Sequence, residues 1–293
     1  MTILGDGYTP ETYAAKAAEL GLDKGYFGQI TDYIWKIITR LDFGKSYFSN
    51  IPIINELGAR FPTTALLGCA GLSIMLLVGI PLGILSAVRH YSILDNTLTA
   101  IAMIMAAVPG FVLALLCLIF FGVRLKWFPI SGLDSFKSWV LPVVTNAFPA
   151  IASMMRMTRT NMLEVIRQDY IRTARSKGMK ENVILVKHAL KNCMIPLLTT
   201  IGGYTAMVFG GSIIVENIFN IRGLGTYMYG GIMSRDYNIV NGCVLLAAFI
   251  VCMINLLVDI LYAFIDPRIK ALYTSRKKNK KPVAVDSSGN EAA

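Results

Sequence analysis

Nine lysines and arginines lie between Arg156 and Lys191, against three acids, Glu164, Asp169 and Glu181. Such a segment cannot lie in hydrocarbon, and a connection of this length is uncommon unless it has a job, so the stretch reads as a docking surface. Its apolar residues Leu163, Ile166, Tyr170 and Ala174 recur every three or four positions. That spacing predicts one helical face, with Arg167, Arg172, Arg175 and Lys177 pointing elsewhere. Asn161 followed by Glu164 predicts a capped helix start. Gly178 predicts the stop, because glycine reaches the left-handed backbone without a Cβ penalty.

The remaining reactive residues do not assemble into an active site. No phosphate-cradling glycine loop occurs, so energy from ATP would have to come from a partner. No nucleophile motif of the GxSxG type occurs either. His90 and His188 stand alone in polar segments and read as surface histidines. Cys69, Cys117, Cys193, Cys243 and Cys252 lie in or beside apolar runs without metal-ligand or disulfide spacing, and read as small core hydrophobes. Asp259 is the one acid inside an apolar run. About two turns separate it from Asp266-Pro-Arg268, so it reads as hydrated near the inner boundary and not as a proton relay. The sequence therefore predicts no catalytic residue, no metal site, no cofactor and no enzyme.

The elements that must position the basic stretch are membrane spans. With 55% apolar residues and a mean hydropathy of +0.56 over 293 residues, the chain is too hydrophobic for an ordinary soluble domain. Thr63–Val88 and Leu98–Val123 are uncharged runs of 26 residues each, ample for a hydrocarbon layer about 30 Å thick. Gly79-Ile-Pro-Leu-Gly83 in the first predicts either close approach of a neighbouring helix or a kink. Trp139–Met155 is shorter and holds Pro142, Asn146 and Pro149, which need protein or water around them; this span is expected to face the bundle interior or the pore. Cys193–Val215 and Val240–Ile265 complete five spans, so the expected fold class is an all-α polytopic membrane protein.

Net charge is +10, concentrated in the central loop and in Arg268 to Lys281, which favours a basic inner face beside anionic lipid over nucleic-acid binding. The loops at Arg89-His90, 156–192 and beyond the last span are expected in the cytoplasm. Arg124–Ser138 and Glu216–Ile239, bordered by Trp127, Phe128, Trp139, Tyr227, Tyr229 and Tyr237, are expected outside. The expected organisation is an external polar segment over 1–62, a transmembrane domain over 63–270 and a basic, disordered cytoplasmic tail over 271–293. Short helices are expected at Pro10–Gly21 and Ile30–Leu41.

Arg172-Thr-Ala174 with Gly178 four residues on, and then Ile195-Pro196, resembles the signature loop of the membrane permease subunits of ATP-binding-cassette importers. Arg172 where many members carry glutamate, and the long interval from Gly178 to Pro196, resemble the subgroup that imports dipeptides, oligopeptides and, in some members, nickel. Leu41-Asp-Phe-Gly44, the stretch Val215–Gly225 and Leu257–Tyr262 with Asp266-Pro-Arg268 are similar to the same family, with Arg222 replacing a usual proline. The likeness spans Leu20 to Arg268.

The resemblance implies that Tyr170, Arg172, Thr173, Ala174, Arg175, Lys177, Gly178 and Pro196 belong to an ATPase-coupling loop. It also implies a homologous second permease subunit, two cytoplasmic ATP-binding subunits, an external substrate-binding protein and a bacterial or archaeal inner membrane. The cargo implied is a peptide; nickel chelates, glutathione-like molecules and a secondary transporter are the alternatives. Members of this type begin with a further span, so six are expected in an intact subunit against five here. An N-terminus outside the cell, with nothing to deliver it, leads to the same expectation of a missing first span.

Overall fold

The computed structural model describes residues 9, 11 and 24–265; the expected helix at Pro10–Gly21 and the tail over 271–293 fall outside them. The described elements are helices, in the order α1 (Tyr26–Arg40), α2 (Ile53–Ile74), α3 (Ile80–Val88), α4 (Ile93–Ala107), α5 (Gly110–Cys117), α6 (Phe136–Ile166), α7 (Asp169–Ser176), α8 (Glu181–Val183), α9 (Lys191–Ile218), α10 (Leu224–Ser234) and α11 (Tyr237–Ile265). Wider π-type turns at Met75–Gly79, Leu118–Arg124 and Ile184–Leu190 join α2 to α3, extend α5 and lead into α9.

Three continuous helices are long and apolar enough to cross a membrane, Ile53–Val88, Phe136–Ile166 and Tyr237–Leu261. Two bent pairs bring the number to as many as five. The expected span over Leu98–Val123 is not straight: α4 and the helix from Gly110 to Arg124 meet at 95°. Pro109 has no amide proton to continue the helix, and Val108 before it takes the extended backbone that a following proline favours. The fourth span bends by 57° around Ile195-Pro196 for a related reason. The helix that holds the first apolar run begins at Ile53, so its first ten residues lie within the segment read as external.

The centre of the bundle is α6, packed against α2, α3, α4, α5 and α9. Its prolines and small residues serve that place. Pro142, Thr145, Ala147, Ala150 and Ala152 are buried, and the Thr145 hydroxyl donates to the Leu141 carbonyl at 2.8 Å. The span expected to face the interior does so. At Gly79 and Gly83 the close-approach reading holds. A Cβ on Gly83 would sit 2.5 Å from the Thr158 Cβ and 2.7 Å from the Met155 carbonyl oxygen, so α3 lies on α6 at a distance only glycine permits. Of the cysteines, Cys193 and Cys243 are core residues, whereas Cys69 and Cys252 are exposed on span surfaces.

Candidate functional site: the basic segment

The basic segment is built differently from the single helix its periodicity suggests. Helix α6 continues without a break to Ile166, so Leu163 and Ile166 belong to it. Asn161 is not a cap: it sits within the helix, and its amide donates to the Met157 carbonyl at 2.8 Å. The break comes at Gln168, whose backbone is extended (φ −71°, ψ 147°), and α7 starts at Asp169. An extended residue turns the chain out of one helix and into the next, which rotates the second helix's faces relative to the first.

That rotation decides which side chains of α7 point inward. Ile171 is fully buried and Ala174 nearly so, while Tyr170 is 43% exposed. The inward residue at the start of the helix is therefore Ile171, not Tyr170. Arg172, Thr173, Arg175, Ser176 and Lys177 are exposed. The helix stops as Gly178 predicts: φ is +73°, Gly178 N–H donates to the Arg175 carbonyl at 2.9 Å and Met179 N–H to the Ala174 carbonyl at 3.4 Å.

Arg175 turns back onto its own chain. Its guanidinium donates to both Glu181 carboxylate oxygens, Nε to Oε2 at 3.2 Å and Nη2 to Oε1 at 2.6 Å, closing the turn between α7 and α8. That contact holds the Glu181 carboxyl below the usual carboxylate range. Burial raises the Tyr170 phenol above its usual value, its environment being apolar on one side. Arg172 and Lys177 remain as the outward cations of α7. Pro196 is not in this surface; it stands in α9 at the 57° bend, below the segment. His188, read as a surface residue, is half-buried, with Nε2 enclosed.

Beneath α7 the packing runs without interruption into the spans. Ile171 and Ala174 belong to one buried cluster with Met162 of α6, Ile184, Leu185 and Ala189 of the π turn, and Cys193 and Leu197 around the bend. The same cluster reaches Met154, Met75 and Tyr204. An apolar column thus connects the exposed basic helix with the middle of the bundle.

Two buried acids that sequence reasoning did not single out fix the frame around this column. Asp95 has no exposure and accepts from Arg159 Nε at 2.7 Å, Arg159 Nη2 at 2.8 Å, Ser86 Oγ at 2.5 Å and Tyr91 N–H at 3.0 Å. It ties the α3–α4 turn to α6. Glu216, at the opposite end of α9, is also fully buried. It accepts from Thr64 Oγ1 at 2.7 Å, Ser212 Oγ at 3.1 Å and Thr226 N–H at 3.1 Å. These neutral donors fasten α10 to α2 and α9. Next to it, a polar hollow of about 530 Å³ opens between Thr63, Ser131, Asp134, Asn220 and Arg222. A third acid, Asp236, accepts from Ser46 Oγ at 2.7 Å and Tyr47 N–H at 2.8 Å, pinning the segment after α1 to the α10–α11 corner.

Comparison with known proteins agrees with this architecture. A family model described as the inner membrane component of binding-protein-dependent transport systems matches residues 79–271. The chain is 39% identical over 278 residues to a putative peptide transport system permease protein of Brucella abortus (strain 2308), covering 92% of this chain and 88% of that one. It is 35% identical over 302 residues to the dipeptide transport system permease protein of Escherichia coli (strain K12), covering 92% and 89%. Among solved structures, an inward-facing methionine transporter of the ATP-binding-cassette class, MetNI, matches with a TM-score of 0.63 at 20% identity, over 73% of this chain and 97% of that one.

Proposed function

The chain belongs to the inner membrane component family of binding-protein-dependent transport systems, and from that premise we propose that it is the membrane-spanning permease subunit of an ATP-driven importer of di- and oligopeptides. The chain itself hydrolyses nothing. It forms half of the passage together with a homologous second permease subunit. Two cytoplasmic ATP-binding subunits supply the energy, and an external substrate-binding protein supplies the cargo. In this reading α7 and the C-terminus face the cytoplasm, and the loops around Glu216 and Asp236 face outward. The transmembrane domain is the stretch over 63–270, with coupling residues in 156–192.

The observation that carries the reading is the double character of α7. Its outer face presents Arg172, Thr173 and Lys177, while its inner face seats Ile171 and Ala174 in the column that reaches Cys193, Leu197 and Met154. ATP-driven closure of the ATPases moves α7. Because a close-packed interior shifts between discrete arrangements and does not deform smoothly, the displacement is passed to α9 at the Pro196 bend and to α6. In this scheme the spans move from inward-open to outward-open, and the prolines and π turns mark where they yield.

The test is reversal of charge on the outer face. Lys177→Glu is the cleaner variant, because Arg175→Glu also breaks the ion pair with Glu181 and many members of the resembled family carry glutamate at the position of Arg172. With the chain assembled and inserted normally, Lys177→Glu should lower peptide uptake and peptide-stimulated ATP hydrolysis by the complex; unchanged uptake overturns the coupling role.

A further inference from the structure

Helix α1 carries an apolar surface that the bundle does not cover. Tyr26, Phe27, Ile30, Ile34 and Ile38 are all exposed, Phe27 by 88% and Ile38 by 71%. At 3.6 residues per turn these five positions fall within about 120° of arc. A contiguous apolar stripe of this size is not left in water by a soluble surface.

The rest of the helix shows how the stripe is oriented. Tyr33 and Ile37 are half-buried, and Ile37 packs on the cluster of Phe43, Ile53, Ile239 and Cys243, so this edge faces the bundle. Asp32, Lys36 and Arg40 lie on the other side of that edge from the stripe, and Asp32 is paired with Lys24. With the protein beside it, α1 has hydrocarbon side chains on one flank and charges on the opposite flank. Trp35, 69% exposed, stands between them, on the side away from the bundle. This is the cross-section of a helix lying in a membrane surface, with an indole at the level of the headgroups.

The segment that follows α1 is anchored at one end of α11. The chain leaves it through Leu41 in the left-handed conformation and enters the segment pinned by Asp236, where Tyr47 Oη also donates to Asn238 Oδ1 at 3.2 Å and Asn238 Nδ2 to the Lys45 carbonyl at 2.9 Å. That corner lies two residues before Val240, where the apolar run of α11 begins. Ile37 packs against Ile239 and Cys243 at this end of α11, and Val244, Leu245 and Phe249 just beyond them are exposed apolar residues of the same span.

We propose that α1 is an interfacial helix whose Tyr26, Phe27, Ile30, Ile34 and Ile38 face insert into the outer leaflet of the bilayer, at the boundary of headgroups and acyl chains. The occupant is lipid and not another protein. The stripe is aliphatic and aromatic with no polar residue inside it, and its neighbour surface is that of a membrane span. The inference rests on the membrane embedding of the chain and on the outer placement of this end, not on the cargo.

The test is a nitroxide scan in the complete importer, reconstituted in vesicles of phosphatidylethanolamine and phosphatidylglycerol, with single cysteines replacing Ile30, Ile34, Lys36, Ile38 and Arg40 in turn on a cysteine-free background. Labels at 30, 34 and 38 should collide with oxygen more than with a water-soluble nickel chelate, and labels at 36 and 40 the reverse. Nickel-dominated collision at all five positions would place the stripe in water. Low collision with both reagents at 30, 34 and 38 would mean that protein covers it, whether residues 1–23 of this chain or a partner. Either result overturns the proposal. Peptide uptake by the same vesicles is read separately, so lipid contact without uptake would refute the transport reading and leave this one standing.

Discussion

Arg159 grips Asp95 with two hydrogen bonds, Nε to Oδ1 at 2.7 Å and Nη2 to Oδ2 at 2.8 Å, across 64 residues of sequence. The carboxylate has no exposure, and Ser86 and Tyr91 fill its remaining acceptor sites. Removing one partner leaves a buried charge unmatched, at a cost of about 3–5 kcal/mol. Arg159→Ala should therefore lower the thermal midpoint of the detergent-purified chain more than Asp95→Asn with Arg159→Gln together, because the double change leaves no orphaned ion. Equal losses would contradict the pairing.

Gly83 sets the distance between α3 and α6. The atoms that a methyl group at this position would meet are the Thr158 Cβ and the Met155 backbone, neither of which can swing away. Gly83→Ala should destabilise by about 1–3 kcal/mol, as overpacking does. Gly230→Ala, on an exposed face of α10 with open space around it, should be neutral or slightly stabilising. Thermal midpoints of the two variants in the same detergent check this.

At Gly178 the constraint is backbone and not space, since nothing lies within 4 Å of an added Cβ while φ is +73°. Asparagine tolerates this conformation and β-branched residues do not. Uptake should rank wild type, then Gly178→Asn, then Gly178→Val, with insertion equal in all three. A valine variant as active as the asparagine one would show that the stop of α7 has no part in transport.

The Arg175–Glu181 pair is half-exposed, so its contribution is at most about 1 kcal/mol and is screened by salt. A carboxyl held below its ordinary value adds stability above the unfolded value of about 4.3 and loses it as pH falls through the lower folded one. Across about pH 6–8 the pair is fully charged, so Glu181→Gln should shift peptide-stimulated ATP hydrolysis by the same small factor throughout that range. A factor that varied with pH there would assign the effect to another group.

Much of the membrane architecture is legible in the residues. Uncharged runs bounded by charge mark the spans, Pro142 and Pro149 mark an interior helix, and Gly178 marks a stop. What is not legible comes from partners distant in sequence. Nothing near Glu216 announces that Thr64, 152 residues away, will donate to it, nor does the sequence pair Asp95 with Arg159. The start of α7 is hidden for a local reason. Periodicity through Leu163 and Ile166 continues into Tyr170 and Ala174, and only the extended backbone at Gln168 shifts the inward register to Ile171. The right angle at Val108-Pro109 is hidden because the same proline, in Pro142, sits inside a helix that stays continuous.

The column under α7 makes Ile171 its foot. Ile171→Ala removes fully buried volume and should cost about 2–4 kcal/mol while loosening the transfer of motion to Leu197. Uptake per assembled complex should fall further than basal ATP hydrolysis. A proportional fall in both would reduce Ile171 to a packing residue.

The central claim is that a cytoplasmic ATPase contacts the outer face of α7. Its most direct measurement is photo-crosslinking from Arg172, replaced by a photoreactive amino acid, in inside-out membrane vesicles containing the complete importer. A covalent adduct between this chain and an ATP-binding subunit, changing in yield when ATP is added, is the predicted result. Crosslinking to lipid alone, or labelling of Arg172→Cys only from the outer side of intact cells, would contradict it.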